Sequence, residues 1–143
     1  MQALPWQVWA LLSAGFAALT AIFGKVGVEN INSDFATLIR TLVIIVVLAC
    51  ILTATHQLQP LSKISPKTYL FLTLSGLATG ASWLCYYRAL KLGDAARVAP
   101  LDKLSVVLVA VFGVVFLGER LSGWNWTGVA LIAGGTVLVS LSR

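Results

Sequence analysis

Five long apolar stretches do more than any other feature to limit what this chain can fold into. They cover residues 6–23, 35–55, 69–90, 98–117 and 124–141 of the 143 residues. A helix needs roughly 20 mainly apolar residues to cross the hydrocarbon core of a bilayer. Because five such stretches leave almost no sequence for a soluble domain, we predict a chain that lies almost entirely within a lipid bilayer.

The five spans are predicted to be helices and not the strands of a barrel. Every backbone N–H and C=O group in lipid needs an internal partner, which leaves helices and closed barrels. Barrel strands alternate apolar and polar residues, whereas the run from Leu42 to Leu48 is apolar throughout. Short connections make consecutive spans antiparallel neighbours. The predicted fold class is therefore an all-α integral membrane protein, a bundle of five transmembrane helices.

The composition argues against several other functional classes. Asp, Glu, Lys and Arg make up only 10% of the chain, against about 25% in soluble domains. The net charge of +5 comes mainly from loops and helix ends, so there is no basic face for nucleic acid. Cys50 and Cys85 are interpreted as buried small apolar residues, and His56 as an interfacial polar residue. Since the sequence has no nucleophile–base spacing, metal cluster or phosphate loop, we expect neither an enzyme nor a cofactor.

Charged residues are concentrated in one short stretch. Arg88, Asp94, Arg97, Asp102 and Lys103 fall within sixteen residues. We assign Asp94 and Arg97 to the turn and cap before the fourth span, whereas the other three need a reason to lie in a membrane. Asp102 and Lys103 point about 100° apart on a helix, so we do not expect a tight pair between them. Arg88 is the candidate partner of Asp102.

Two registers of the fourth span remain open. If the helix begins at Ala95 after an Asp94 cap, Asp102 lies about 12 Å along its axis. Pro100 is then inside the helix and kinks it. If the helix begins near Ala99, Pro100 occupies its favoured position in the first turn. In that register Asp102 only offsets the helix dipole near the membrane surface.

The third span has a polar face that ends in aromatic residues. The polar members are spaced four, three and four residues apart, so they share one side of the helix. Their hydroxyl groups either bond carbonyls of their own helix or line a cavity that ends in an aromatic cluster. Aromatic faces suit an organic substrate or a cation. The polar face comprises Ser75, Thr79, Ser82 and Tyr86, and the aromatic cluster comprises Trp83, Tyr86 and Tyr87.

Arg40 is a further cation without an evident partner, two turns into the second span. Its long side chain could reach the membrane surface, or it could reach the same site as Arg88 and Asp102. Glu119 and Arg120 lie between the last two spans and are interpreted as a helix-end ion pair or a hairpin turn.

Small residues on three spans are predicted to let other helices approach closely. Gly76 and Gly80 form a GxxxG pattern on the third span. On the first span the stripe serves either packing or a shallow path, and on the fifth span packing or an oligomer interface. These two sets are Ser13, Ala17, Thr20 and Gly24 on the first span, and Gly128, Gly134 and Gly135 on the fifth.

The order and spacing of these residues resemble the EamA domain of the drug/metabolite transporter superfamily. The matching stretches are 86–93, 98–105 and 116–121, and 35–40 resembles the family's second helix, where an arginine is usual. The turn from Gly118 to Leu121 is the most recognisable part. The resemblance covers essentially the whole chain and implies a single domain over 1–143. Its helices are expected at about 6–24, 35–56, 68–91, 95–118 and 124–141.

The resemblance implies a multi-pass transporter of the bacterial inner membrane. Typical members join two such domains in inverted orientation and hold the substrate between them, so a single-domain chain would pair with a second copy as an antiparallel homodimer. The third and fourth helices would line the cavity. The smaller multidrug-resistance relatives use a glutamate in the first helix, whereas 6–23 is uncharged, which argues against that proton-coupled mechanism.

The resulting expectation is an alternating-access carrier for a small organic metabolite or drug-like solute. The alternative is a non-transporting assembly or regulatory subunit in which the charged residues only hold helices together. For a carrier, the expected substrate-binding or gating residues are Arg40, Trp83, Tyr86, Tyr87, Arg88, Asp102, Lys103 and Ser105. The expected cavity lining is Ser75, Thr79 and Ser82, and the helix-packing positions are Gly76, Gly80, Gly128 and Gly135.

The positive charges of the loops are almost balanced across the membrane. The N-terminal side carries Lys63, Lys67 and Arg120, and the opposite side carries Lys25, Lys91, Arg97 and Arg143. Because an excess of Lys and Arg sets the cytoplasmic side, this balance predicts insertion in both orientations. The helix-embedded cations add only a weak bias toward a cytoplasmic C-terminus.

Overall fold

The computed structural model describes residues 5–141, and no strand occurs among them. The all-helical prediction is confirmed. The helices are α1 (Trp6–Gly27), α2 (Ser33–Ala54), α3 (Pro66–Leu92), α4 (Ala95–Asp102), α5 (Leu104–Leu117) and α6 (Gly123–Leu141), with a short 3₁₀ turn at Leu61–Lys63. Each predicted span has a helical counterpart, but the fourth span is divided into α4 and α5.

Among residues 5–141, four helical segments are both long enough and apolar enough to cross a membrane. They are α1, α2, the segment Ala95–Leu117 that joins α4 and α5, and α6. The 27 residues of α3 give a length of roughly 40 Å, which exceeds the roughly 30 Å core of a bilayer. Its serine, threonine, glycine and tyrosine residues make it less apolar than the others. The third helix is therefore long enough to span a membrane and is the most polar of the five segments.

Helix α2 begins earlier than the sequence pattern indicates. The sequence pattern places the N-cap at Ser33 and an acidic first turn at Asp34, whereas the Asn32 side chain is the cap and accepts hydrogen bonds from the backbone N–H of Asp34 at 2.8 Å and of Phe35 at 3.3 Å. An asparagine side chain is among the best acceptors for these first free N–H groups. The correction moves the cap by one residue, and Asp34 lies in the first turn of α2 as expected, where a carboxylate complements the helix dipole.

The fourth span adopts the register in which Pro100 lies inside the helix. Helix α4 begins at Ala95 after Asp94, whose backbone is extended (φ −72°, ψ 137°) as at an N-cap, although its side chain makes no capping hydrogen bond. Pro100 has no N–H to donate to the carbonyl four residues earlier. The helix breaks three residues later at Lys103, whose N–H bonds the Pro100 carbonyl at 2.9 Å.

Contacts divide the chain into two units, one formed by 1–22 with 92–143 and the other by 23–91. In the first unit, α4 and α5 pack against α6. There the Arg97 guanidinium donates a hydrogen bond of 3.0 Å to the Ser140 carbonyl at the end of α6. A cation at that position complements the C-terminal end of the helix dipole.

The second unit is packed around the end of α1, the start of α2 and the end of α3. Val28 and Leu90 are its most buried side chains, with 1% and 0% of their surface exposed. Away from this small core the helices expose apolar side chains along most of their length, as lipid-facing helices do. Cys50 and Cys85 lie on such surfaces and are exposed, so the expectation that they are buried within the chain is wrong.

Replacing Leu90 by alanine is expected to destabilise this core strongly. Leu90 is fully buried, so Leu90→Ala leaves a cavity that costs about 2–4 kcal/mol. Leu92, two residues later on α3, is 89% exposed, and Leu92→Ala should change stability by less than about 0.5 kcal/mol. The measurement is the unfolding free energy of both variants in detergent. Equal losses for the two variants would contradict the packing described here.

Candidate functional site

An arginine and two aromatic rings form the centre of the candidate site. The Arg40 Cζ lies 3.9 Å from the centroid of the Trp83 ring and 5.4 Å from that of Tyr87. Trp83 and Tyr87 are four residues apart on α3, so they lie on one face of the helix. Both distances are within the range of a cation–π contact. The sequence left open whether Arg40 reaches the membrane surface or the site of Arg88 and Asp102, and the structure places it over two aromatic rings of α3, which neither alternative named.

Tyr87 is held in place by close packing against α1. It is buried, and its ring lies 6.3 Å from the Tyr86 ring at an interplanar angle of 62°, an edge-to-face arrangement. A Cβ atom on Gly24 would lie only 3.2 Å from the Tyr87 Oη and 3.3 Å from the Leu90 Cδ1. The glycine therefore lets α1 approach the end of α3. The small-residue stripe of the first span contained Gly24, but its spacing did not identify Tyr87 as the contact.

Arg88 forms a bidentate ion pair with Asp34. Its Nε donates to Oδ1 at 3.0 Å and its Nη2 donates to Oδ2 at 2.6 Å. The structure thus gives Arg88 a different partner from the predicted Asp102. Asp34 lies in the first turn of α2 and Arg88 near the end of α3, so two antiparallel helices bring them together. Helical spacing did not identify Asp34 as this partner, because its place in the first turn of α2 already accounted for the carboxylate through the helix dipole.

Two lysines donate hydrogen bonds between the end of α1, the start of α2 and the end of α3. The Lys25 Nζ donates to the Leu90 carbonyl at 2.8 Å, and the Lys91 Nζ donates to the Ile31 carbonyl. The first of these bonds satisfies a carbonyl at the C-terminal end of α3, where cations are favourable. Together with Arg40 and Arg88 these lysines form the cationic cluster, which comprises Lys25, Arg40, Arg88 and Lys91.

The break between α4 and α5 brings Asp102 and Lys103 within 3.6 Å of each other. On a continuous helix these neighbours diverge, and the irregular backbone at Lys103 allows the contact. The distance exceeds that of a charge-assisted hydrogen bond, so the pair is loose, as expected. Asp102 is half-buried, whereas Lys103 and Ser105 are exposed. Their predicted role in substrate binding or gating remains a prediction.

The polar face of α3 is exposed in a single copy of the chain. The Thr79 Oγ1 donates to the Ser75 carbonyl at 2.8 Å, which is the first of the two interpretations of these hydroxyl groups. Ser75, Thr79 and Ser82 all point to open surface, so a role in lining a cavity remains a prediction. A Cβ atom added at any of the predicted packing glycines meets no atom within 4 Å, and these are Gly76, Gly80, Gly128 and Gly135.

The turn between α5 and α6 folds back on α5. Gly118 ends the helix in the left-handed region (φ 69°), which glycine adopts without strain. The Glu119 N–H donates to the Gly113 carbonyl at 3.1 Å. A Cβ atom on Gly113 would lie 2.7 Å from the Glu119 Oε2, so this glycine makes room for the carboxylate. The contacts agree with the interpretation of Glu119 as part of a turn.

The long apolar helices and their exposed apolar surfaces define a multi-pass membrane protein. The model of the EamA-like transporter family matches residues 4–141, and the chain belongs to this family. The resemblance found in the sequence is thereby confirmed.

Two curated relatives are similar along almost the whole chain. The "Uncharacterized transporter in cobO 3'region" of Sinorhizobium sp is 70% identical over 136 residues, which cover 95% of this chain and 96% of that protein. The "Uncharacterized transporter YxxF" of Bacillus subtilis (strain 168) is 23% identical over 137 residues, which cover 95% of this chain and 42% of that protein. No solved structure matches the chain.

Proposed function

We propose that this chain is one half of an alternating-access carrier, in which two copies pair antiparallel in the bacterial inner membrane. The carrier moves a small organic metabolite or a drug-like solute. The observation that carries the proposal is the contact of Arg40 with Trp83 and Tyr87 inside an apolar helix pair. Ionisable residues in spans are costly, and they commonly mark a substrate path.

The surfaces left open in a single copy support the pairing. The polar face of α3 and its GxxxG glycines are exposed, and small residues of this kind pack against other helices in membranes. The Bacillus relative is more than twice as long as the region it shares with this chain, which leaves room for two such domains in one polypeptide. Transporter sites lie at the interface of inverted repeats, and two copies of this chain would supply them.

Flux in proteoliposomes tests the carrier function. Purified protein is reconstituted with a mixture of labelled metabolites, and uptake is followed by mass spectrometry. Arg88→Ala and Asp102→Asn are each expected to lower the flux roughly tenfold, the effect of losing one charge-assisted hydrogen bond. Arg120→Ala removes a cation from the α5–α6 turn and serves as the matched control, with flux unchanged. Unchanged flux in both test variants, with folding intact, would remove these residues from the site.

Loop labelling in intact cells tests the antiparallel arrangement. Single cysteines are placed in each loop of a chain in which Cys50 and Cys85 are replaced by alanine. Antiparallel pairing requires that every loop is labelled from outside in part of the population. A single orientation in all molecules contradicts it and leaves the carrier function to be judged on flux alone.

One observation favours the alternative of a non-transporting assembly subunit. Arg88, Lys25 and Lys91 all bind groups at helix ends, as residues that only hold helices together would. Under this alternative Asp102→Asn disturbs assembly with partner proteins and leaves no solute flux to measure. Flux by the purified chain alone excludes it.

A further inference from the structure

Arg40 is placed where a charged side chain needs compensation. It lies seven residues after Ser33, the first residue of α2, or about 10 Å along the helix axis. It is half-buried. A charge inside a span is tolerated when it pairs with another group or faces a water-filled cavity. The question is therefore which group compensates the guanidinium of Arg40.

No carboxylate of the described residues, 5–141, does so. Asp34 pairs with Arg88, and Asp102 pairs with Lys103. Both oxygens of Asp34 are taken by Arg88, and within this part of the chain Arg40 makes no hydrogen bond or ion pair and lies against the rings of Trp83 and Tyr87. The aromatic rings attract the cation, but they accept none of its hydrogen bonds in the plane of the guanidinium.

The contact with Trp83 orients Arg40 for an anion. The five N–H donors of an arginine lie in the plane of the guanidinium, and among residues 5–141 those of Arg40 make no hydrogen bond, so the donor edge is available to a ligand. This edge matches the two oxygens of a carboxylate or a phosphate. A side chain that is already held against an aromatic ring loses little further conformational entropy when it binds an anion, which favours affinity.

The charge balance of this unit also favours an anion. Residues 23–91 contain six Lys and Arg residues and two acidic residues. In the cationic cluster, Lys91 donates to a neutral carbonyl, and Arg88 uses the carboxylate of Asp34. The six cations are Lys25, Arg40, Lys63, Lys67, Arg88 and Lys91, and the two acids are Glu29 and Asp34.

We infer that Arg40, held over Trp83, binds the anionic group of the solute, which is an organic carboxylate or phosphate ester. This inference rests on the proposed carrier function and names its class of substrate. Tyr86, which is half-buried and stands edge-to-face with Tyr87, offers ring surface to the apolar body of such a solute. An organic cation does not fit, because it would face the positive charge of Arg40.

Ligand-induced stabilisation of the full chain in detergent tests this inference without a transport assay. The probes are benzoate and phenyl phosphate, with benzyltrimethylammonium as the cation of similar shape, all at one ionic strength. We expect both anions, or one of them, to raise the melting temperature in a saturable manner, and the cation to have no effect. The two anions distinguish a carboxylate site from a phosphate site.

Three variants test whether the stabilisation by the anions depends on Arg40. Arg40→Met should abolish the stabilisation by the anions. Arg40→Lys keeps the charge and the cation–π contact but loses the planar donor edge, so the apparent Kd should rise roughly tenfold. It also keeps the inference testable if Arg40→Met fails to fold. Lys67→Met removes the same charge from the first turn of α3, outside the cationic cluster, and should bind like the parent chain.

The outcomes separate this inference from the carrier function. No stabilisation by either anion, or equal stabilisation in the parent and Arg40→Lys chains, overturns the anion site. If such a result accompanies flux of a cationic or neutral solute in proteoliposomes, the carrier stands without the anion site. If the anions bind but no solute crosses the membrane, the anion site stands and the carrier function fails.

Discussion

Exchanging the two partners of the Asp34–Arg88 pair is expected to recover the folding that either single reversal destroys. Asp34→Arg places two guanidinium groups at hydrogen-bonding distance, and Arg88→Asp places two carboxylates there. Like charges this close repel each other, and each reversal also opposes the dipole of its own helix. Each single reversal should lower the yield of monodisperse protein roughly tenfold or more.

The double variant Asp34→Arg/Arg88→Asp restores opposite charges, but its recovery should be incomplete. Asp34 lies at the positive end of the α2 dipole and Arg88 near the negative end of α3. The exchange keeps the ion pair and reverses both of these favourable interactions. The double variant should therefore melt above both single reversals and below the parent chain.

Size-exclusion yield and melting temperature in detergent measure these differences. Arg120→Asp reverses a cation outside the pair and controls for a general effect of changed charge. If the double variant is as damaged as the single reversals, the two residues do not act through each other. The interaction between α2 and α3 must then come from the contact of Arg40 with the aromatic rings.

Much of the architecture could be predicted from the sequence because apolar length alone determines a membrane span. The five segments, the aromatic cluster on α3 and one of the two registers at Pro100 follow from composition and helical spacing. The partner of Arg88 does not follow, because periodicity assigns a residue to a face without saying what lies opposite. Asp34 was expected in the first turn of α2, where the helix dipole alone explains an acidic residue, and nothing in the spacing pointed from it to Arg88.

The glycines also show that helical spacing alone does not identify what lies opposite a residue. The GxxxG pattern of Gly76 and Gly80 is the stronger sequence signal, yet both positions are open in a single copy. Gly24 and Gly113 carry no such pattern, and they are the glycines at which a Cβ atom would be crowded. Spacing shows that a close approach is possible on a helix face. It does not show whether the approaching group belongs to the same helix, to another part of the chain or to a second copy.

Removing the proline from the fourth span is expected to stabilise the chain and slow its transport. Pro100→Ala supplies the missing N–H to the Ala96 carbonyl and removes the clash of the ring with the preceding turn. Since proline inside a helix is unfavourable by up to about 3 kcal/mol relative to alanine, the unfolding free energy should rise by about 1–3 kcal/mol. A continuous helix would also move Asp102 away from Lys103, because successive side chains diverge.

Pro66→Ala is the matched control, because Pro66 is the first residue of α3. Proline is favoured at that position, so the control should change stability by less than about 0.5 kcal/mol.

Spin labels on Ala96 and Val109, both exposed, report the state of the break at Lys103. In the parent chain we expect a broad distribution of distances between the labels. In the Pro100→Ala chain the distribution should narrow around about 20 Å, the length of thirteen residues of straight helix. Breaks of this kind allow one half of a span to move against the other, as alternating access requires. If the distribution narrows and flux is unchanged, the break at Lys103 has no part in transport, and α4 and α5 act as one rigid span.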